Sequence, residues 1–220
     1  MVRKAALPLI AAAFLALSVS ACGISFEDAG PYTEQNRKVE KFDRVEVHGS
    51  ADVVVRRGLG GVLIVRGGRN RVADTTTRVE DGTLFVEGKD SSGTIDLSGG
   101  HVTVIARTPS LTGVRVDGSG EMTVPELDGG RFEVEVNGSA DVRAEGRVEQ
   151  LAASVDGSGD LDLGDLVAGS ARLDIAGSGD ADVDAERRLE VTLSGSGDVH
   201  YAGDPILAGY ISGSGEVMRG

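Results

Sequence analysis

Seven carboxylates recur in this sequence, each directly after a short motif of glycine, serine and alanine, and they are the residues best suited to chemistry: Asp52, Glu121, Asp141, Asp160, Asp180, Asp198 and Glu216. If the motifs stack as coils of a solenoid, consecutive carboxylates would lie about 4.8 Å apart. Like charges at that distance repel, so we expect a compensating partner. That partner is either a cation such as calcium, which prefers oxygen ligands, or the backbone N–H groups of each carboxylate's own turn.

These carboxylates do not single out an active site, and we assign no catalytic residue. Glycoside hydrolysis needs two carboxylates at a defined separation, whereas a regular column offers many equivalent pairs. His48, His101 and His200 lie on different repeats without an obvious Ser or Asp partner. We therefore expect a non-catalytic protein with a binding, adhesive or structural role. The alternatives are a calcium-dependent binding module and, third, a carbohydrate-active β-helix enzyme.

A repeated phrase must position the carboxylates: an apolar alternation, then Gly-Ser-Gly-Asp or a near copy, then a second alternation. Its leading glycines are Gly118, Gly138, Gly157, Gly177, Gly195 and Gly213, at spacings of 20, 19, 20, 18 and 18 residues. A fixed period in this range is typical of a solenoid. Residues 42–55 already contain one copy of the phrase, whereas the period blurs between Arg56 and Arg107.

Side chains alternate faces along a strand, so one coil of 18–20 residues has room for two strands and two connections. The sequence predicts an all-β, single-stranded parallel β-helix, which we expect to be right-handed, and no helix after the N-terminal segment. In the blurred region we expect strands at 62–65, 83–86, 94–97 and 102–105. The alternation before each corner predicts these inward pairs: Val114/Val116, Val134/Val136, Ala153/Val155, Leu173/Ile175, Val191/Leu193 and Gly209/Ile211. After each corner the predicted inward pairs are Met122/Val124, Val142/Ala144, Leu161/Leu163, Ala181/Val183 and Val199/Tyr201.

The overall charge narrows the class of partner. The formal net charge of the chain is -13 at pH 7. A nucleic-acid-binding protein needs a basic face that neutralises phosphates, so this balance argues against nucleic acid. The hydrophobic fraction of 40% is enough for a folded core.

The N-terminal segment has the three parts of a lipoprotein signal. Arg3 and Lys4 precede an apolar run over residues 5–17, and residues 19–22 read Val-Ser-Ala-Cys. This resembles the lipobox of bacterial lipoproteins, in which the cysteine is lipidated and becomes the mature N-terminus. We expect a signal peptide over 1–21, a lipidated Cys22 with a flexible tether over 22–41, and the folded domain over 42–220. Ordinary secretion with cleavage near Ala21 is the alternative. The expected location is the cell envelope, as a lipid-anchored protein of the outer membrane, periplasm or cell surface.

Several motifs in order carry a resemblance to a known family. They are the opening Phe-Asp-Arg-Val-Glu-Val-His-Gly-Ser-Ala-Asp-Val from Phe42, the segments 79–84 and 108–111, the serial Gly-Ser-Gly-Asp corners, and Val-His-Tyr-Ala-Gly-Asp-Pro from Val199. Together they resemble the head GIN domain, a domain of unknown function described as a putative auto-transporter adhesin, over residues 42–220. The resemblance implies a β-helical envelope protein with an adhesive or structural role and no catalytic residues.

The C-terminal end of the expected solenoid has no helix or polar loop to cover it. After the last phrase only residues 217–220 follow, and Tyr210, Ile211 and Val217 would line the exposed end. Open solenoid ends usually need a capping element. We therefore expect self-association through the C-terminal coil, with a monomer whose end is simply solvated as the alternative.

Overall fold

The structure, a computed structural model, describes residues 29–88 and 101–220. The predicted signal peptide, the lipidation site Cys22 and the expected strand at 94–97 lie outside the described residues. The described chain is 73% strand and 3% helix, and its strands form a β-solenoid of about five turns. The predicted fold class is confirmed.

The first part of the chain contains seven strands and one short helix: β1 Tyr32–Lys38, β2 Arg44–Gly49, β3 Asp52–Arg57, β4 Val62–Gly68, α1 Arg69–Asp74, β5 Thr75–Glu80, β6 Thr83–Gly88 and β7 Thr103–Thr108. The regular part contains eight strands: β8 Gly113–Gly118, β9 Glu121–Gly138, β10 Asp141–Gly157, β11 Leu161–Gly177, β12 Ala181–Gly195, β13 Val199–Ala202, β14 Ile206–Gly213 and β15 Val217–Arg219.

The regular turns are built from strands β9 to β12, which pair in parallel with one another in sequence order. The leading glycine of each coil lies opposite that of the next, so Gly157 pairs with both Gly138 and Gly177. The predicted inward residues of these coils are buried: Leu173 is 0% exposed and Ile175 is 2% exposed. The core is a narrow column of small and branched aliphatic side chains between the strands.

Between Arg56 and Arg107, where the sequence period is irregular, the described strands β6 and β7 form a coil that is stacked out of chain order. Strands β6 and β7 pair in parallel with β2 and β3 on the side facing away from the regular turns. On their other side, β2 and β3 pair with β8 and β9, which follow about 70 residues later in the chain. The period therefore breaks in the sequence because an extra coil and its connections are inserted between two neighbouring coils.

Three sequence expectations are corrected at this end of the molecule. Residues 32–38, predicted as part of a flexible tether, form the edge strand β1, which pairs antiparallel with β4. Backbone pairing holds a polar strand in place here, and the Arg37 guanidinium also donates to the carbonyl oxygens of Val72 and Thr75. The helix α1 was not expected, because its six residues bury only Val72. Strands β4 and β5 run antiparallel to their neighbours, so the solenoid is not parallel throughout.

The opposite end of the solenoid departs from the predicted burial. Ile211 points inward by register but is 46% exposed, and Gly209 is also exposed, because no described strand lies beyond β14. Tyr201 is half-buried. Within the described parts of the chain, no helix has the length and apolar character that crossing a bilayer requires.

Candidate functional site

The corners of the regular turns form a continuous backbone ladder. The amide of Ser178 donates to the carbonyl of Gly157 at 2.9 Å, and the amide of Ser196 donates to that of Gly177 at 2.8 Å. The same bond recurs from Ser139 to Ser214. The leading glycines adopt positive φ, +141° at Gly177, which brings each corner close to the one before it. This close approach sets the position of the carboxylate that follows.

The predicted carboxylates lie in one column, and most accept a hydrogen bond from the next coil. Asp160 Oδ1 accepts from the amide of Asp180 at 2.9 Å, and Asp180 Oδ1 accepts from the amide of Asp198 at 2.7 Å. The bonds from Glu121 to Asp52, from Asp160 to Asp141 and from Glu216 to Asp198 follow the same pattern. The sequence analysis placed the donor within the carboxylate's own turn, whereas the structure places it one coil further on.

Glu121 is the exception that explains why aspartate dominates this position. Its side chain is one methylene longer and binds Thr123 Oγ1, while the amide of Asp141 donates to the carbonyl of Gly120. The aspartate side chain is short enough for its Oδ1 to accept the amide of the carboxylate residue one coil further on. At Glu121 the carbonyl of Gly120 accepts that amide instead. The Oδ1 atoms of the aspartates in the column therefore have a protein partner without any cation.

This arrangement predicts that the Asp180 acceptor matters more than its charge. Asp180→Asn keeps an oxygen for the Asp198 amide and removes one negative charge from the column, so its melting temperature should stay at or above the wild-type value. Asp180→Ala leaves that amide without its partner and should cost about 1 kcal/mol of unfolding free energy. Urea unfolding of both variants measures the difference. A chelator should leave the wild-type melting temperature unchanged, and a drop of several degrees would instead indicate a bound calcium ion.

The histidines have carboxylate neighbours that the sequence analysis did not find. His48 Nε2 lies 2.8 Å from Glu46 Oε1, and its Nδ1 lies 3.3 Å from Asp117 Oδ2. His101 and His200 each lie 3.8 Å from an aspartate. The ligand atoms of Glu46, His48 and Asp117 lie within 4.8 Å of one another, and both imidazole nitrogens already face a carboxylate. A cation would have to displace one of these contacts. The signal for the pair was present in the sequence, since His48 and Asp117 both directly precede a leading glycine.

Besides Glu87, whose pKa is lowered mainly by the hydrogen bond from Arg78, two carboxyl groups on the outer strand faces have lowered pKa values. Burial raises the pKa of Asp117, but hydrogen bonds from Asn137 and Arg115 outweigh it, and the net pKa is below the ordinary value. Burial and hydrogen bonds from Arg172 and Thr192 act in the same opposing way on the pKa of Asp174. Because folding lowers both pKa values, the ionised groups stabilise the fold above about pH 4, and that contribution is lost as the pH falls through the folded pKa values.

A groove across the outer face of β9 to β12 is another feature that could bind a ligand. It is shallow, with a volume of about 260 Å³, and it is lined by three arginines, one glutamate, two uncharged polar residues and three apolar residues: Arg131, Arg172, Arg188, Glu190, Gln150, Ser170, Leu151, Ala152 and Ala171. Arg131, Gln150, Ser170 and Arg188 occupy one register column. Because the side chains of Gln150 and Ser170 are shorter than those of arginine, the surface is lower between Arg131 and Arg188. Three coils separate these arginines, about 14 Å at the usual strand spacing.

The groove is positively charged on a protein that is acidic overall. Its three arginines face one carboxylate, Glu190, whose Oε1 lies 2.6 Å from Arg188 and whose Oε2 lies 3.6 Å from Arg172. Arg172 also pairs with Asp174 at 2.9 Å. Arg131 has no ion pair among the described residues. The sequence analysis did not find this groove, because Gln150 and Ser170 separate Arg131 from Arg188 in their column and Arg172 lies in a different column.

Comparison with known proteins gives one family and several solved structures. Residues 41–205 match the model of a family described as "Putative auto-transporter adhesin, head GIN domain". No curated protein matches the chain.

The solved structures show the same fold at low sequence identity. A putative adhesin from Bacteroides fragilis is 22% identical with a TM-score of 0.68, and the match covers 86% of this chain and 97% of that one. A putative adhesin from Parabacteroides distasonis is 19% identical with a TM-score of 0.55, covering 87% and 98% of the two chains. A putative lipid binding protein from the same species is 22% identical with a TM-score of 0.50, covering 87% and 97%.

Proposed function

The chain belongs to the head GIN domain family of putative auto-transporter adhesins, and we propose that it is a non-catalytic adhesive protein held on the cell envelope by lipid. The family description supports a binding or adhesive role and a location in the envelope or on the surface. The extended outer faces of the described coils supply binding area for a large partner.

The anchor in this proposal is Cys22. The basic residues, apolar run and Val-Ser-Ala-Cys motif at residues 3–22 support lipidation at that position, and Cys22 is the only cysteine of the chain. Two or more acyl chains would hold the protein stably, whereas a single chain binds a membrane only marginally. Lipid on Cys22 would place the solenoid close to the membrane surface.

The binding surface in this proposal is the arginine groove, and this groove is the observation that carries the choice of ligand. Arginine guanidinium groups bind carboxylates and sulfates in bidentate fashion. The arginines at its two ends are three coils apart along the solenoid axis, so an extended polymer could contact both with successive anionic groups. The ligand class is therefore an acidic envelope or extracellular polysaccharide. Ligand carboxylates would compete with Glu190 for Arg172 and Arg188.

One fractionation experiment tests the anchor and the groove together. Membrane and soluble fractions of cells that express each variant are incubated with fluorescent polygalacturonate, and neutral dextran serves as the probe control. Wild-type membranes should retain polygalacturonate and not dextran. Cys22→Ala should move the protein and its binding to the soluble fraction. Arg131→Ala combined with Arg172→Ala should weaken binding about tenfold or more without moving the protein.

The matched control is Arg143→Ala combined with Arg147→Ala, which also removes two positive charges but outside the groove, where Arg143 pairs with Asp165 at 2.9 Å and Arg147 pairs with Glu186 at 2.9 Å. It should bind like the wild type. Equal losses from this control and the groove variant would mean that binding depends only on the net charge of the protein, and the groove assignment would be wrong. Membrane retention of Cys22→Ala would overturn the anchor while leaving the binding result intact.

A calcium-dependent binding module is the alternative that the carboxylate column raised in the sequence. This function requires that polymer binding disappear on chelation and that Asp180→Asn bind less. We expect neither, because the column's aspartate Oδ1 atoms already accept backbone amides.

A further inference from the structure

The strand β14, which lies in the C-terminal coil and pairs only with β12 among the described strands, has an open edge without charged residues. One edge pairs in parallel with β12, from Ile206 opposite Arg188 to Gly213 opposite Gly195, and no described strand pairs with the other edge. All eight residues of β14 are exposed. An open edge exposes a row of unpaired N–H and C=O groups, which other strands can bind.

The other edges of the sheet carry the charges that normally prevent such pairing. The edge strand β1 contains Glu34, Arg37 and Lys38, and the edge strand β5 contains Arg78 and Glu80. The strand β14 reads Ile-Leu-Ala-Gly-Tyr-Ile-Ser-Gly and contains no charged residue. Proteins usually protect edges with charged side chains, prolines or bulges. The unprotected edge is therefore specific to the C-terminal coil.

The outer face of β14 also lacks charged side chains, whereas the outer face of the preceding coil carries them. The outward positions Arg188, Glu190 and Thr192 of β12 lie opposite Ile206, Ala208 and Tyr210 of β14. Ile206 is 73% exposed and Tyr210 is 68% exposed. On the inward face, Leu207 and Ile211 are 42% and 46% exposed. Both faces of this strand thus present apolar side chains to solvent where the repeat elsewhere has charged groups outside and buried groups inside.

We propose that this edge binds a second copy of the same chain, forming a symmetric dimer in which the two β14 strands pair antiparallel. A two-fold axis brings the same patch of each copy together, so each copy's apolar residues cover the other's. The chain carries a net charge of -13, and two copies repel one another elsewhere. The uncharged β14 edge is the surface where they can meet without like charges in contact.

The opposite end of the solenoid favours a closed dimer over a filament. Head-to-tail stacking would place β14 against the covered end, where α1 and the antiparallel strands β1, β4 and β5 overlie the first coils. The charged residues of β1 and β5 would then meet an uncharged edge and lose solvent without gaining partners. Symmetric pairing of two β14 strands avoids this cost.

Sedimentation of the chain from residue 22 onward, with Cys22→Ser to prevent lipidation, tests the proposal. The buried core lies between Phe42 and Val199, so this removal leaves it intact. The wild type should sediment as two chains at high micromolar concentration. Ile206→Lys combined with Tyr210→Lys places like charges on both copies across the new pair, and it should weaken dimerisation about tenfold or more.

The control is Thr192→Lys combined with Ser194→Lys, which adds the same charge one coil inside the solenoid. It should remain a dimer, and circular dichroism melts should show that both variants fold. Slower amide exchange in β14 at higher protein concentration would locate the contact. A wild type that is monomeric at high concentration, or a dimer unaffected by the β14 lysines, would overturn the proposal. Growth into filaments would show head-to-tail contacts instead. Ile206 lies one coil from the groove residue Arg188 on the same outer face, so sedimentation without any polymer tests the dimer alone, and polysaccharide binding is tested separately by the groove variants.

Discussion

Gly177→Ala is expected to lower the unfolding free energy by about 3 kcal/mol or more, because the corner has no space for a methyl group. A Cβ at this position would lie 1.8 Å from the carbonyl oxygen of Gly157, and the φ of +141° is one that alanine rarely adopts. The Gly157 backbone cannot move away easily, since its own position is fixed against Gly138 in the coil before. Urea unfolding, followed by circular dichroism, measures the loss.

Gly129→Ala is the matched control for this change. Gly129 lies in the bend of β9, and a Cβ there would meet no atom within 4 Å. Its substitution should change stability by no more than about 0.5 kcal/mol. If the two variants were equally stable, the corners would be able to relax and the stacked glycine ladder would not determine the fold.

Ile175→Asp is expected to prevent folding or cause aggregation, with a loss of about 4 kcal/mol or more. Ile175 is 2% exposed, and it stacks between Val155 and Leu193 of the neighbouring coils. A carboxylate there would be buried in the narrow aliphatic column without a partner. Soluble yield and thermal melting of the purified variant measure the effect.

Ala176→Asp introduces the same side chain at the next residue and is the control. Ala176 is exposed, and its column position is Asp156 in the preceding coil. This variant should fold with near wild-type stability, as should Asp174→Ala, which removes a solvent-exposed ion pair with Arg172 and a side-chain hydrogen bond from Thr192. Comparable damage from Ile175→Asp and either control would show that the strand register is wrong.

The regular turns could be predicted because each coil repeats the same local sequence pattern of apolar alternation and glycine-containing corner. Alternation identified the inward residues that flank the corners from Val114 to Val199, but not buried residues farther from the corners such as Phe132, Leu166 and Leu189. The glycines marked the corners, since few other residues adopt the backbone conformation required there. The carboxylate column followed from the same period. Its hydrogen-bond donors did not, because the donor to each aspartate lies one coil away, about 18–20 residues later in the chain.

The sequence by itself therefore determined the coil length, the corners and the buried face, which depend on local alternation and on glycine backbone geometry. Only the tertiary structure decided how distant segments associate. It placed the β6–β7 coil before the first copy of the phrase, paired the polar strand β1 with β4, and brought His48 next to Asp117. It also assembled the arginine groove. These arrangements depend on backbone pairing between strands far apart in the chain, and apart from the shared position of His48 and Asp117 before a leading glycine, such pairing leaves no periodic trace in the sequence.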